Sequence, residues 1–418
     1  MRTVQRIRKK GNATQLVAVD GGPGVEAVEA RVAMIQALIP LGLEAVGEAL
    51  RQEVVTLAGE RYARAGGQAE LVRWGQQRGS VYLADQKLPV RVPRVRDRAR
   101  QLEVPLGTYQ QLQAPRAVDD GLFRRILGGL ACRDYAACAE AVPEAFGLAR
   151  STVSRRFVRA SARRLRELQE RPLAGERWVA LLIDGKTFAD DQLVIALGVT
   201  LRGEKRVLGL VETATENQRV CAAFLRELVA RGFTAADGLL VVLDGAKGLR
   251  AAVADVFGST AQVQRCQWHK RENVVRHLPT GVQATWRRKL QAAYEQPTYA
   301  QARAALRRLE PELRLLNASA AKSLSEGLEE TLTLHRLGLF GELGLSFKTT
   351  NALESILAQV ERRTGKVSYW RTSEQKQRWC AAALLAIEPR LRKVRGYRHL
   401  PRLVEALRTT QRHVADVA

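Results

Sequence analysis

Two stretches constrain the fold of this chain more than any other part of it. WVALLIDG (residues 178–185) and GLLVVLDG (residues 238–245) are each an unbroken apolar run that stops on an aspartate followed by a glycine. A half-exposed strand alternates apolar and polar residues, because successive side chains point to opposite faces; a run with no polar position is a strand buried on both faces. Such strands belong in the middle of a sheet covered by helices, so the two runs predict an α/β (α+β) arrangement.

The neighbouring segments agree. DQLVIALGVT (191–200) and KRVLGLVETA (205–214) follow the first run at hairpin spacing, NQRVCAAFLRELVARGF (217–233) and AKGLRAAVADVFG (246–258) carry helical periodicity, and AQVQRCQW (261–268) is a further short strand. The order β-β-β-α-β-α-β over 176–282 predicts a mixed sheet with helices packed on it. Residues 283–346 break the alternation, with three apolar-periodic segments that predict an all-helical insertion. TTNALESILAQVERRTG (349–365) opens a last strong helix in the segment 347–418, with more helix following it.

In open sheets of this kind ligand sites gather at the carboxyl ends of strands, and Asp184 and Asp244 both fall there. Two carboxylates on neighbouring strands repel unless a cation bridges them. Hard divalent cations take oxygen ligands, and a pair of them activates the attacking oxygen and stabilises the leaving one in phosphoryl displacement. Asp-Gly after a strand is also a turn signal; the repetition within one sheet adds the chemical reading to the plain one. Glu354 is the candidate third carboxylate. Asn351 followed three residues later by Glu354 also spells a capping box, and spacing alone favours the cap. Cys266 and His269, in RCQWHKREN, stand at Cys-x₂-His spacing. A structural zinc takes four ligands, and no second pair is suitably spaced, so the two predict a structural role at the strand end beside the carboxylates.

Charge narrows the partner. Sixty-seven Lys and Arg against 43 Asp and Glu give a formal net charge of +24, which favours a polyanion because phosphate contacts release counterions. An arginine-rich genomic composition is the plain alternative; the clustering of the arginines favours nucleic acid. Residues 25–79, within an N-terminal region 1–116, read as mostly helical. SVYLADQKLPVRVPRVRDRAR (80–100) alternates and predicts a small basic hairpin or arm carrying Arg91, Arg94, Arg96, Arg98 and Arg100. Residues 117–170 predict three helices, the last (148–169) capped by Ser151 or Thr152. Its polar start, with Ser151, Thr152, Ser154, Arg155 and Arg156, suits a helix-turn-helix module that reads DNA, against the alternative of a solvated amphipathic face. ERPLAG (170–175) reads as a linker. Lys348, Arg362, Arg363, Lys366 and Arg371 surround the last strong helix and hold either phosphates or solvent. Trp268, Tyr369 and Trp370 stack on a base or, the favoured reading, belong to the core. Five scattered cysteines (Cys132, Cys138, Cys221, Cys266, Cys380) argue for a reducing compartment. No apolar run approaches the roughly 20 residues of a membrane span and the start has no signal-peptide core, so a cytoplasmic protein without a membrane partner is expected.

Together LLIDGKTF, IALGVTLRGEKRVLGLVETATEN, VVLDGAKGLRAAVADVFGSTAQVQRCQWHKRENVVRHL and FKTTNALESILAQVERRTG, with LPVRVPRVRD and ARSTVSRRF upstream, resemble the prokaryotic insertion-sequence transposases of the Mutator type. These are a branch of the DDE superfamily with an RNase H-like catalytic domain. The resemblance implies that the family's catalytic aspartates fall on Asp184 and Asp244 and its glutamate on Glu354, against the cap, and that its Cys-x₂-His signature falls on Cys266 and His269. It also implies a helical insertion before the glutamate helix and two Mg²⁺ or Mn²⁺ ions per active site held by the three carboxylates. The implied chemistry is DNA nicking by water and strand transfer by a 3′-hydroxyl. The implied partners are terminal inverted repeats, target DNA and further copies of the chain, as a dimer or larger oligomer on nucleoid DNA. Two alternatives stay open: a structure-selective nuclease on the same fold, and an inactive DNA-binding derivative.

Overall fold

The structure, a computed structural model, describes residues 25–62, 70–83, 86–113, 120–132, 149–188, 191–213 and 217–417. The chain divides into two compact units, one formed by residues 1–122 with 132–155 and the other by 123–131 with 156–418.

In the first unit, helix α1 (Val25–Ala58) ends at Gly59, whose φ of 73° suits glycine. The helical reading of 25–79 therefore holds only to residue 58. Residues 71–79 belong instead to β1 (Leu71–Leu83), which pairs antiparallel with β2 (Gln86–Asp97); β3 (Leu102–Val104) adds a third strand. Pairing across the ribbon outweighs local propensity here, and Gly75, at φ 81°, sits where the register shifts between Arg73 and Gln76. Val46, Leu50 and Val54, spaced by one turn, pack on Val81, Val92, Val95 and Leu106. Glu53 of α1 accepts from the N–H groups of Gly107 (2.6 Å) and Thr108 (3.1 Å), capping α2 (Gly107–Gln113).

Helices α3 (Asp120–Leu127) and α4 (Arg150–Glu170) match the first and third helices expected in 117–170. The middle one, with Cys138, lies outside the described residues. The N–H groups of Thr152 and Val153 both reach back to the carbonyl of Ala149. Ser151 and Thr152 thus sit inside the first turn of α4 and do not cap it.

The second unit contains β4 (Trp178–Phe188), β5 (Asp191–Thr200), β6 (Lys205–Thr213), α5 (Gln218–Ala230), β7 (Leu239–Leu243), α6 (Lys247–Phe257) and β8 (Ala261–Arg265), in the expected order. The sheet runs β6-β5-β4-β7-β8, with the β6-β5-β4 pairs antiparallel and the β4-β7 and β7-β8 pairs parallel. This is the RNase H-like mixed sheet. Leu181, Ile183, Val194, Ala196, Val241 and Leu243 face Phe224, Leu225 and Leu228 of α5 and Leu249 and Val253 of α6 in one buried cluster. The apolar run of β4 does not end the strand. Beyond Ile183 it stays paired with β5 to Phe188↔Asp191, and only its parallel pairing with β7 stops, at Ile183↔Leu243.

The linker expected at 170–175 is a packed connection. Leu173 is buried and its N–H bonds to Arg231 O, while Arg171 forks onto both carboxylate oxygens of Glu388 at 2.7 and 2.9 Å.

After β8 come α7 (Gln267–Val275), α8 (Thr280–Tyr294), α9 (Tyr299–Leu316), α10 (Ala318–Ser325), α11 (Leu328–Thr331), α12 (Thr333–Arg336) and α13 (Phe340–Phe347). The last helical segment expected in the insertion is broken into shorter pieces, because Gly327 takes a left-handed conformation (φ 64°). These helices bury a core of their own around Trp286, Leu290, Tyr294, Leu306, Leu313 and Leu324. Helix α14 (Asn351–Thr364) follows, then α15 (Ser373–Ile387) and α16 (Leu400–Val417). Leu357 and Val360 of α14 share a small void with Leu193 and Ile195, on the face of β5 opposite the α5–α6 cluster, and Lys186 of β4 pairs with Glu361 at 2.7 Å.

Candidate active site

The sheet brings the two aspartates together. Because Ile183 and Leu243 are partners in the parallel ladder, Asp184 and Asp244 leave that pair one strand spacing apart, about 5 Å. They do so differently. Asp184 remains in a strand, 5% exposed. Asp244 turns the chain: its Oδ1 accepts from Ala246 N–H at 2.9 Å, and Gly245 takes φ 102°. A Cβ at Gly245 would lie 1.9 Å from Arg265 Nε, so glycine alone fits this turn. Of the two Asp-Gly pairs, one is a turn and the other is not.

Backbone bonds carry the geometry on to the third carboxylate. The N–H of Cys266 donates to Leu243 O, the last residue of β7, at 2.7 Å, and the N–H of Gln267 donates to Lys348 O at 2.9 Å. The Cys-x₂-His segment is thereby bonded both to the strand that delivers Asp244 and to the residues that open α14. The Cys266 side chain is buried, and no disulfide joins the described cysteines.

Sequence reasoning missed the centre of this arrangement. Thr350 is fully buried, and its hydroxyl lies 3.2 Å from Glu354 Oε1, 3.5 Å from His269 Nδ1 and 3.8 Å from Cys266 Sγ. A hydroxyl has one proton and two lone pairs, so Thr350 donates to the carboxylate while remaining an acceptor for the imidazole. A threonine ahead of an apolar-periodic helix reads as a cap; Thr350 occupies the N-cap of α14 but makes no capping bond. The capping box expected of Asn351 and Glu354 is absent as well. Asn351 is already helical, and Glu354 faces Thr350 and, at 3.9 Å, His269 Nε2.

The electrostatics follow from burial and crowding. Asp184 is pushed up to about 7, first by burial and then by the negative charge of Asp244, with Glu354 adding to it and His269 and the Thr350 hydroxyl opposing it. Burial works against the charged form of His269, but Cys266, Asp184 and Asp244 outweigh it and raise the imidazole to about 9. The cluster thus holds three carboxylates and one cation. Its oxygen donors and uncompensated negative charge are what a hard divalent ion such as Mg²⁺ or Mn²⁺ requires. As the side chains stand, no three His, Cys, Asp or Glu among the described residues enclose a metal position, since Glu354 is turned onto Thr350 and His269.

The predicted basic residues separate into two groups. Arg94 forks onto Glu103 at 2.8 Å through both nitrogens, and Arg96 bonds Gln101 and lies 4.7 Å over the Trp74 ring, so both hold the ribbon together. Arg91 is exposed and sits directly across the ribbon from exposed Arg78. Arg155 approaches the Thr152 hydroxyl at 3.5 Å; Ser151 is exposed, and Ser154 and Arg156 are half-buried. Lys348 pairs with Glu295 at 2.6 Å, Arg363 bonds Gln359 O, and Arg362, Lys366 and Arg371 are exposed. Trp268 and Tyr369 are 42% and 69% exposed, so the core reading fails for both: each projects from a helix start or loop with no apolar layer above it. Trp370 packs on Phe188 and Trp379.

A family model described as "Transposase, Mutator family" matches residues 21–388. The chain is similar to the transposase for insertion sequence element IS406 of Burkholderia multivorans, 26% identical over 377 residues covering 84% of this chain and 92% of that protein. It is similar to the transposase for IS6120 of Mycolicibacterium smegmatis, 28% identical over 245 residues covering 57% and 74%. It is also similar to the transposase for IS256 in transposon Tn4001 of Staphylococcus aureus, 24% identical over 316 residues covering 71% and 76%. No helix among the described residues is long and apolar enough to cross a membrane.

Proposed function

The chain belongs to the Mutator family of transposases, and we propose that it is a DDE transposase that cuts and joins DNA at the cluster of Asp184, Asp244 and Glu354. One observation supports this above the others. Three carboxylates far apart in sequence, delivered by β4, the β7 turn and α14, act on one another electrostatically in a single partly enclosed site. Such crowding is unfavourable without a cation to balance it.

In this reading Asp184, Asp244 and Glu354 hold divalent ions, which supply charge stabilisation for in-line displacement at a phosphodiester. Asp184 is fixed by its ladder, Asp244 by its Asx turn, and Glu354 by Thr350, which orients the carboxylate by donating to it. His269 balances the negative charge of the site. Water is the nucleophile for nicking and a DNA 3′-hydroxyl the nucleophile for strand transfer; no covalent enzyme–DNA intermediate is needed. The DNA partners are the terminal inverted repeats of the element and a target duplex, paired by a dimer or larger oligomer. The excess positive charge of the chain supplies sequence-independent attraction to both.

The test is a strand-transfer assay with a pre-cut element end, target plasmid and Mg²⁺ or Mn²⁺. Joined product is expected from the wild-type chain and none from Asp244→Asn. Cutting without any joining would convert the proposal to a nuclease, and joining by Asp244→Asn would end the assignment of the cluster.

A further inference from the structure

Helix α7 continues past His269, and what it carries next is not used by the catalytic cluster. His269, Asn273 and Arg276 recur at i, i+4 and i+7 and so share one face of the helix. At the far end of that stripe Asn273, Arg276 and His277 meet Ser319, Lys322 and Ser323 of α10 around an open groove of about 380 Å³. Arg276 and Lys322 are exposed, and among the described residues neither has a carboxylate within ion-pair distance. Glu326 is the single acid on the rim.

Behind the rim lie two buried cations. Arg265 and Lys270 are both buried, and both donate to the same neutral acceptor, the backbone carbonyl of Glu326. Arg265 Nε is buried without a partner. Burial and the neighbouring Arg265 lower Lys270 to about 8 while the Glu326 and Glu330 carboxylates oppose that shift, so the charge the groove offers a ligand is that of the exposed Arg276 and Lys322. Glu330, the next acid nearby, is engaged by Arg250.

We propose that this groove holds the phosphodiester backbone of the DNA whose reacting phosphate lies at the carboxylate cluster. Arg276 and Lys322 supply the charged contacts, and Asn273 and Ser323 supply neutral donors. The inference rests on the transposase reading and adds a track to it. A helix rises 1.5 Å per residue, which puts Arg276 roughly 10 Å along α7 from His269. A strand of duplex advances about 3.4 Å per phosphate along its axis, so a duplex lying along α7 would meet the groove about three nucleotides from the reacting bond.

The experiment measures binding of a fluorescein-labelled duplex of arbitrary sequence by anisotropy, over a range of salt, for the full-length chain and for Arg276→Ala/Lys322→Ala. Each phosphate contact contributes about 0.9 to the slope of log K against log salt. The double variant is expected to bind roughly tenfold more weakly, with a slope shallower by about 1 to 2. Arg288→Ala/Arg308→Ala removes the same charge from exposed positions on the same helical layer and is expected to keep the wild-type slope. Equal slopes for the wild-type chain and the groove variant overturn the inference, as does an equal loss in the control. Where the alanine variant melts early, Arg276→Gln/Lys322→Gln provides the same test with more of each side chain retained. A wild-type chain that binds no duplex at all counts against the proposed function instead.

Discussion

The β1–β2 ribbon and the carboxylate cluster both place like charges side by side, and they differ in burial. Arg78 and Arg91 oppose one another on an exposed two-stranded surface, where such a pairing costs less than about 1 kcal/mol. Water screens the repulsion, and the pair needs no particular partner to be tolerated. Asp184 stands beside Asp244 at 5% exposure, and there burial, with the repulsion of Asp244 added to it, pushes the carboxyl up to about 7. The exposed pair identifies only the sign of a partner. In the proposed reading the buried pair calls for a small cation at a fixed place.

The largest effect that would break this contrast lies in the buried pair. Asp244→Asn or Glu354→Gln is expected to lower DNA cleavage by roughly three orders of magnitude or more, as loss of a charge-stabilising group at a reacting phosphate does. Duplex affinity is expected to stay near the wild-type value, because the substitutions lie away from the basic surfaces. Residual cleavage near the wild-type rate would remove the cluster from the chemistry.

Stability provides the next test. With a folded value raised above the unfolded one, Asp184 makes the native state bind an extra proton, so stability is greatest below about pH 4 and falls as pH rises to about 7. The whole displacement amounts to on the order of 4 kcal/mol in the absence of divalent ions. Asp184→Asn is therefore expected to melt higher than the wild-type chain at pH 8 in chelator, with the margin narrowing toward pH 5. A variant less stable at both pH values would show that burial beside Asp244 does not strain the Asp184 carboxylate.

A smaller effect tests the Thr350 hydroxyl that faces Glu354 and His269. Thr350→Val, which keeps shape and removes the donor, is expected to lower the cleavage rate roughly 10- to 100-fold, the usual cost of losing a residue that orients a ligand. Thr350→Ser is expected to restore most of it, and equal rates for the two would leave Thr350 as packing. The exposed side of the contrast gives the smallest numbers. Arg91→Ala is expected to raise the melting free energy by a few tenths of a kcal/mol at low salt and by nothing at high salt. Arg94→Ala, which breaks the fork to Glu103, is expected to cost up to about 1 kcal/mol.

Much of the second unit was legible because its strands are buried on both faces, so that apolar runs mark them directly. The two aspartates were legible for the same reason, since a carboxylate that ends such a run is conspicuous. Glu354 was not, because three-residue spacing from Asn351 fits a cap equally well; its assignment came from the resemblance, and its contacts come from tertiary packing. Thr350 carried no signal beyond that of an ordinary capping threonine. In the first unit residues 71–79 were misread as helix, since Leu71, Val72 and Trp74 mark no clear period and only pairing with β2 makes them a strand. Arg94 and Arg96 looked the same as Arg91 in sequence, and only their cross-strand partners separate a brace from a free charge.

The bond from Gln267 N–H to Lys348 O has a consequence for how the gene can change. The two ends of the helical interval are joined there by a main-chain contact that no side-chain substitution removes, and α11 and α12 bond back to β8 as well, through Thr331, Thr333 and Leu334. Ends held together in this way make added length inexpensive, because the entropy of closing a loop grows only logarithmically with its size. Length can therefore be gained or lost among α8, α9 and α10 while the ties of α11 and α12 to β8, and the glutamate beyond them, stay in register with the strands.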